Sequence, residues 1–409
     1  MSNGGSDHPV EVEWQFDALD LRPVERWLLA LQREREDRRL TGEEASPETR
    51  GSSNRSAGPL RVSALPGETR HLLDTYLDTD DWRVGRAGYV LRIREKGGRA
   101  EVTLKDTAPA TGGLRRRLEV TEPLADGDIS GLGDRGPVGR RVAALVGARP
   151  LRTVLEVRTV RRPYSIHVFN GRDDDQSGGV ASVPGRPIGE IALDDTELAV
   201  GHHEEPARLR RVEVEVDPSW VERLEPFVDR LKRECGLSPA SLSKFEAGIL
   251  AAGLKVPGPP DLGPTVVDSS ATVGDLAFAV LRRNVSALLI HDPGTRLGED
   301  IEELHDMRVA TRRLRAALDL FSDSLPVRAG HLRSELGWLA DVLGAVRDLD
   351  VQLEKIKGWL EDLDESEREA LSQLSDLLGR EREHSRTALL EALDSARYER
   401  LIAGFTAMA

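Results

Sequence analysis

The segment Val10-Glu11-Val12-Glu13-Trp14-Gln15-Phe16 alternates strictly, placing Glu11, Glu13 and Gln15 on one face of an extended strand and Val10, Val12, Trp14 and Phe16 on the other. The same split recurs in Leu91-Arg92-Ile93-Arg94, in Val102-Thr103-Leu104-Lys105 and in Val212-Glu213-Val214-Glu215-Val216. Arg115, Arg117 and Glu119 share a face opposite Leu118 and Val120, and Glu190 and Asp194 share one opposite Ile191 and Leu193. A sheet with one solvated face explains such alternation. The polar faces here, however, are sorted by sign, and like charges two residues apart repel. Sorted faces are tolerated when a ligand of opposite charge sits between them, as metal ions do for carboxylates and phosphates for guanidinium groups. A solvated sheet and a charged lumen both fit the pattern, and a closed eight-stranded barrel has room for an interior ligand.

Period-2 patterning dominates the first part of the chain and period-3.6 patterning dominates from Thr272 onward. The alternation predicts strands at Val10 to Phe16, Arg70 to Asp78, Tyr89 to Glu95, Ala100 to Asp106, Leu114 to Thr121, Arg158 to Val168, Ile188 to Leu193 and Arg208 to Val216. Helices are predicted at Arg22 to Glu36, Val138 to Leu145 and Pro218 to Glu234, giving an α+β class for this part. The Pro/Gly-rich stretch Val256 to Ser270 lacks periodicity and suits an extended spacer. Arg38 to Gly58 and Gly171 to Gly185 are polar, Gly/Ser-rich insertions expected to be loops. The expected organisation is one domain over 8–250, a linker over 251–271 and a helical domain over 272–409.

A net charge of -14 argues against coating nucleic acid nonspecifically, so nucleic acid is not an expected partner. The single cysteine, Cys235, excludes an intrachain disulfide framework and a cysteine-based zinc cluster. Met1 to Pro9 lacks an apolar core, and no run of 18 apolar residues occurs, so no membrane partner is expected and the cytoplasm is the expected compartment.

Glu11-Val12-Glu13-Trp14-Gln15 resembles the N-terminal ExExK motif of the CYTH, or triphosphate tunnel metalloenzyme, superfamily. Asp74-Thr75-Tyr76-Leu77-Asp78-Thr79-Asp80 followed by Leu91-Arg92-Ile93-Arg94 resembles that family's next block. Thr103-Leu104-Lys105 is similar to its TLK strand, Glu213-Val214-Glu215 to its late acidic strand and Ser243-Lys244 to its closing pair. The resemblance implies an eight-stranded antiparallel β tunnel with flanking helices. It implies that Glu11, Glu13, Glu213 and Glu215 ligate Mg²⁺ or Mn²⁺, with Glu11 and Glu13 catalytic through metal-activated water. It also implies that Arg92, Arg94, Lys105, Arg115, Arg161 and Lys244 hold phosphate. Oxygen ligands suit those ions, and the guanidinium fork matches phosphate oxygens. Gln15 stands where the family carries lysine, and Arg117, also assigned to phosphate, stands where relatives tend to carry Glu.

In the C-terminal part, Met307, Ala310, Leu314, Leu318 and Phe321 fall on one side of a helix over Leu304 to Phe321, and His305, Arg308, Arg312 and Arg315 fall on the other. A solvated face explains this as well as a binding stripe does. The run Leu304-His305-Asp306-Met307-Arg308-Val309-Ala310-Thr311-Arg312-Arg313-Leu314-Arg315 resembles the motif of the CHAD domain, a conserved-histidine α-helical module. Leu343-Gly344-Ala345-Val346-Arg347-Asp348-Leu349-Asp350-Val351 resembles its second motif. The resemblance implies an all-α bundle that binds inorganic polyphosphate through His305, Arg308, Arg312, Arg315 and Arg347. The length available corresponds to the first half of such a domain.

Together these readings lead to an expected metal-dependent hydrolysis of inorganic triphosphate or short polyphosphate. Polyphosphate is the expected partner, with association with polyphosphate granules and with further copies of the chain left open. A non-catalytic polyphosphate-binding protein, and an organic triphosphatase or adenylate cyclase of the same superfamily, are the alternatives.

Overall fold

The computed structural model describes residues 10–41, 61–107, 109–124, 136–169, 187–199, 206–256, 260–360 and 365–408, with the single residues 129, 132 and 258. The strands are β1 (Val10–Asp17), β2 (Arg61–Pro66), β3 (Arg70–Asp78), β4 (Tyr89–Lys96), β5 (Arg99–Asp106), β6 (Leu114–Leu124), β7 (Arg152–Phe169), β8 (Gly189–Leu198), β9 (Ala207–Val216) and β10 (Ser238–Pro239). The helices are α1 (Arg22–Thr41), α2 (Arg83–Arg86), α3 (Pro137–Val146), α4 (Val221–Cys235), α5 (Lys244–Ala251), α6 (Val273–Leu297), α7 (Ile301–Leu320), α8 (Ala329–Leu360), α9 (Glu365–Leu393) and α10 (Ala396–Met408).

Eight strands run in the order β1-β6-β5-β4-β3-β7-β8-β9, and pairing of β1 with β9 closes the ring. Every pair is antiparallel, with β2 added to β7 and β10 added to β1. The fold is therefore a closed antiparallel tunnel followed by a helical region. All eight predicted strands are present. The strand β2 and the first third of β7, from Arg152, go beyond the predicted set. The helix α1 runs on through Arg38 to Thr41, where a loop was expected. The remainder of that insertion, and Gly171 to Gly185, lie outside the described residues.

The barrel turns its apolar face outward. Val12, Trp14 and Phe16 of β1, Ile191 and Leu193 of β8, and Val212 and Val214 of β9 pack with Val24 and Leu28 of α1 and Leu224, Val228 and Leu231 of α4 in one buried cluster. Each such side chain contributes about 1.5–3 kcal/mol on burial. Because alternate residues point to opposite faces, covering these strands with helices forces Glu11, Glu13, Gln15, Glu213 and Glu215 into the lumen. Closure at β8 also depends on a missing side chain, since a Cβ on Gly189 would overlap the Glu215 carbonyl oxygen.

The helix α5 follows β10 and begins with a capping box in which Ser243 Oγ accepts from the Glu246 N–H and the Glu246 carboxylate accepts from the Ser243 N–H. That box holds Lys244 at the first helical position, where it is buried.

Grouped by their contacts, the residues form two units. One takes in the chain up to Asp81, Gly88–Val138 and Leu151–Val256, and the other takes in Trp82–Ala87, Gly139–Pro150 and Pro257 onward. In the helical unit, α6 opens on a Thr272–Asp275 capping box and stops at Gly298 in the left-handed conformation. The helix α7 buries Leu304, Met307, Ala310, Leu314 and Leu318, the face expected from periodicity, against Leu336, Leu339, Leu343 and Val346 of α8.

Candidate active site in the β tunnel

The lumen encloses a cavity of about 460 Å³. All eleven residues singled out in the sequence line it: Glu11, Glu13, Glu213, Glu215, Arg92, Arg94, Lys105, Arg115, Arg117, Arg161 and Lys244. They come from β1, β4, β5, β6, β7, β9 and α5, so only the closed ring brings them together. The wall carries seven Lys or Arg side chains and eight Asp or Glu side chains, which makes the lumen nearly neutral.

Strand register sets the pairs. Glu11 lies opposite Arg117 on β6, and Lys105 lies opposite Glu119. Lys105 Nζ is 3.0 Å from both Glu11 carboxylate oxygens and 2.5 Å from Glu119 Oε2. Arg117 donates from Nε to Glu11 Oε2 at 2.9 Å and from Nη2 to Glu13 Oε1. Burial opposes ionisation of Glu11, but Lys105 and Arg117 beside it carry its carboxyl well below the ordinary range. Glu13 responds the other way. Its full burial and the negative charge of Glu11 push it up to about 7, against the pull of Arg117.

Gln15 sits among these charges as a neutral connector. Its amide donates to Glu13 Oε1 at 2.8 Å and reaches Glu213 Oε1 at 3.5 Å, while its carbonyl oxygen accepts from Arg115 Nε at 3.1 Å. An amide both donates and accepts, so it joins two carboxylates to a guanidinium where a lysine could only donate.

Two aspartates absent from the predicted site act as anchors. Asp74 of β3 lies opposite Arg94 and accepts from its Nε and Nη2 at 2.6 and 2.7 Å. Asp194 of β8 lies opposite Arg161 and accepts from its Nε and Nη2 at 2.9 and 2.7 Å. Both aspartates are wholly buried. Glu213 accepts from Lys244 at 2.7 Å and from Arg161, and Lys244 also donates to Asp194. Burial opposes the Glu213 charge, yet Lys244 and Arg161 hold its carboxyl far below the ordinary range.

Arg92 is different. Its Nε is buried without a hydrogen-bond partner, and its ion pairs to Asp74 and Glu119 are long, 3.9 and 4.0 Å. Its guanidinium therefore makes no short ion pair with either carboxylate. Glu215, opposite Glu13 in the register, lines the lumen, where partial burial together with the charge of Glu11 raises its carboxyl.

Glu119, Tyr76, Asp74, Asp194 and the buried Arg211 were missed as site residues. Alternation signalled three of them, since Glu119 and Arg211 each lie two residues from a recognised lumen position on their strand and Asp194 shares a face with Glu190, whereas Asp74 and Tyr76 lie on β3, where no lumen position had been singled out. Tyr76 and Phe245 also line the wall and pack on each other with ring centres 5.2 Å apart.

Among the described residues, no group of three or more His, Cys, Asp or Glu is arranged to hold a metal ion. The four expected ligands share one wall, but Glu11, Glu13 and Glu213 are each bonded to a cation or amide of the chain. The donor chemistry nevertheless fits Mg²⁺ or Mn²⁺. Magnesium in particular is commonly held by one or two carboxylates together with substrate phosphates and water rather than by an all-protein cage.

On α7, His305, Arg308 and Arg315 are half-buried and Arg312 is exposed. None of Arg308, Arg312 and Arg315 forms an ion pair among the described residues, and Arg315 Nε is buried without a hydrogen-bond partner. Gly344 of α8 faces Arg308. Arg347 is engaged instead at the start of α7, with the Ile301 carbonyl oxygen at 3.4 Å and Glu302 at 3.3 Å. Arg333 is likewise taken up by Asp319. Among the described residues no helix is long and apolar enough to cross a membrane.

The strands make a closed antiparallel tunnel lined by interleaved carboxylates and guanidinium groups. The CYTH domain profile matches residues 53–247 and the CHAD domain profile matches residues 279–409. The chain thus carries a CYTH domain followed by a CHAD domain. The CYTH match begins after β1, yet the ring is closed by β1. A candidate adenylyl cyclase from Hippeastrum, described as having a dominant triphosphatase activity, is similar at 17% identity over 60% of this chain and 98% of its own, with a TM-score of 0.39. A candidate adenylate cyclase from Bacillus halodurans matches at 18% identity over 58% of this chain and 96% of its own, with a TM-score of 0.33. The CHAD domain from Ricinus communis is 32% identical over 35% of this chain and 47% of its own, with a TM-score of 0.31.

Proposed function

We propose that the tunnel hydrolyses inorganic triphosphate or short polyphosphate with a divalent cation, Mg²⁺ or Mn²⁺. In this reading residues 8–250 are the catalytic domain, 251–271 a linker and 272–409 a polyphosphate-binding domain of a cytoplasmic protein. The observation that carries it is the near balance of seven cations and eight carboxylates around one cavity of about 460 Å³. A lumen already close to neutral can take in a polyanion only if more positive charge accompanies it, which divalent ions provide. Glu11, Glu13, Glu213 and Glu215 are the residues that would hold such ions. When bound, a divalent cation polarises phosphoryl oxygens and lowers the pKa of a bound water.

The chain's own groups do the positioning. Asp74 and Asp194 bind one edge of Arg94 and Arg161, which fixes the direction of each guanidinium plane. Arg92 meets phosphate oxygens without giving up a short ion pair. Lys105, Arg115, Arg117 and Lys244 exchange carboxylate or amide partners for phosphate. Phosphoryl transfer requires little beyond positioning and charge neutralisation, which suits this wall.

On the helical unit, His305, Arg308, Arg312 and Arg315 form the polyphosphate surface, with Arg347 at its end. The uncompensated guanidinium groups of α7 support this reading.

The test is phosphate release from triphosphate, ATP, thiamine triphosphate and long-chain polyphosphate, each with Mg²⁺ or Mn²⁺. Triphosphate turnover that is lost in Glu11→Ala and Glu213→Ala supports the proposal. Organic triphosphates turned over in preference would move the assignment to an organic triphosphatase. A second reading, polyphosphate binding without turnover, is favoured by the engagement of Gln15 with both Glu13 and Arg115. Retention of polyphosphate with no chain shortening would select it.

A further inference from the structure

Arg117 occupies an unusual place among the tunnel cations. It lies opposite Glu11 in the β1–β6 register, so its position is set by backbone pairing and not by a wandering side chain. Its guanidinium donates to Glu11 through Nε at 2.9 Å and to Glu13 through Nη2, joining the two carboxylates of β1. All three side chains are buried, at 10%, 10% and 4% exposure, so solvent screens the bridge weakly. Gln15, next on the same face of β1, is neutral and adds only one further hydrogen bond to Glu13. The positive charge between Glu11 and Glu13 is therefore supplied mainly by Arg117, with Lys105 beside Glu11.

We propose that Arg117 is an internal cation that keeps Glu11 and Glu13 closed to a divalent metal until a phosphate anion draws the guanidinium away. The proposal rests on the reading of the tunnel as a triphosphate site and adds an order to it. A guanidinium and a divalent ion cannot occupy the space between two carboxylates together. An entering phosphate chain offers Arg117 a bidentate acceptor at least as good as the one it leaves. Anion binding and metal binding are then linked: each raises the affinity for the other by the same factor. Arg117 is a positioning residue in this scheme, since it acts through the carboxylates that it releases.

Mn²⁺ titration of the full chain, followed by the electron paramagnetic resonance signal of free Mn²⁺, reads this without any turnover. Wild-type protein is expected to bind Mn²⁺ weakly alone and at least about tenfold more tightly with a non-hydrolysable triphosphate analogue present. Arg117→Gln is expected to bind Mn²⁺ alone on the order of tenfold to hundredfold more tightly than wild type, because removing one partner of a buried pair leaves charge for the metal to neutralise. The gain from the analogue should shrink accordingly. Arg117→Lys keeps the charge but loses the planar fork and the reach of the guanidinium, and its affinity should fall between the two. Arg116→Gln, on the exposed face of the same strand, should match wild type. Equal Mn²⁺ affinity in wild type, Arg117→Gln and Arg117→Lys without analogue would overturn the proposal. Failure of the analogue to bind any of these proteins, measured by calorimetry, would instead overturn the reading of the tunnel as a triphosphate site.

Discussion

Asp194→Asn separates the anchoring of the phosphate-binding cations from their contact with substrate. Asp194 is wholly buried and accepts from Arg161 at 2.9 and 2.7 Å as well as from Lys244, while Glu213 accepts from the same two cations. Two carboxylates thus balance two cations in a space where the side chains are at most 11% exposed. Removing one charge leaves a surplus cation, and breaking a buried pair from one side costs about 3–5 kcal/mol. The asparagine oxygen keeps a hydrogen bond to the guanidinium that offsets roughly 1 kcal/mol. The net loss of about 2–4 kcal/mol lowers the melting temperature by roughly 10 °C for a unit of this size. Triphosphate should restore much of it, because the freed cation then has an anion to meet and ligand binding to the folded state stabilises by mass action. Scanning calorimetry with and without triphosphate measures both effects, and Asp195→Asn, on the outer face, serves as the control. A variant that melts with wild type in the absence of ligand, or that triphosphate protects no better than wild type, would refute the assignment of Asp194 as the anchor.

Three further outcomes follow from the same geometry. Glu13 keeps its proton up to about 7 against an ordinary 4.5, so between those values the folded chain holds a proton that the unfolded chain has released. Its contribution to stability is full below the lower value and declines as pH rises to the upper one, whereas Glu11 and Glu213, shifted downward, contribute above the ordinary value and lose it in acid. Mn²⁺ retention should accordingly rise through about pH 7, and a flat profile from about pH 5.5 to 8.5 would contradict the Glu13 environment. Arg92→Ala should weaken triphosphate binding about 10- to 100-fold by calorimetry, since a charge-assisted hydrogen bond contributes about 1.5–3 kcal/mol, while melting changes little because its ion pairs are long. Gly189→Ala should destabilise by about 2 kcal/mol or more in urea unfolding, because the new Cβ meets the Glu215 carbonyl oxygen at the β8–β9 pair; wild-type stability would show that the strands can shift apart freely.

Much of the tunnel could be read from single strands. Alternation in Val10 to Phe16 and Val212 to Val216 separates lumen from cover because the side-chain period of a strand is two, whatever its neighbours. The strand β2 carried no comparable signal. Arg61-Val62-Ser63-Ala64-Leu65-Pro66 is short and ends in proline, and it is a strand because Val62 to Pro66 pair with Tyr164 to Val168 roughly a hundred residues later. Lys244 was legible only as half of a Ser-Lys pair, whereas its burial comes from the capping box that starts α5. Arg347 read as part of a basic surface but is taken up by the start of α7, a contact between helices that periodicity along one helix cannot reveal.

The sequence by itself determined which side chains face inward together on each strand, because alternation is a local property of extended backbone. It also determined the apolar seam of α7, which follows from 3.6 residues per turn. Only the tertiary structure decided that the charged faces form one closed lumen, because that needs β1 to pair with β6 on one side and β9 on the other. Closure likewise decided the partners. Arg94 meets Asp74, Arg161 meets Asp194 and Arg117 bridges Glu11 and Glu13 by strand order and register, which bring together residues far apart in the chain and turn rows of like charge into opposed ones.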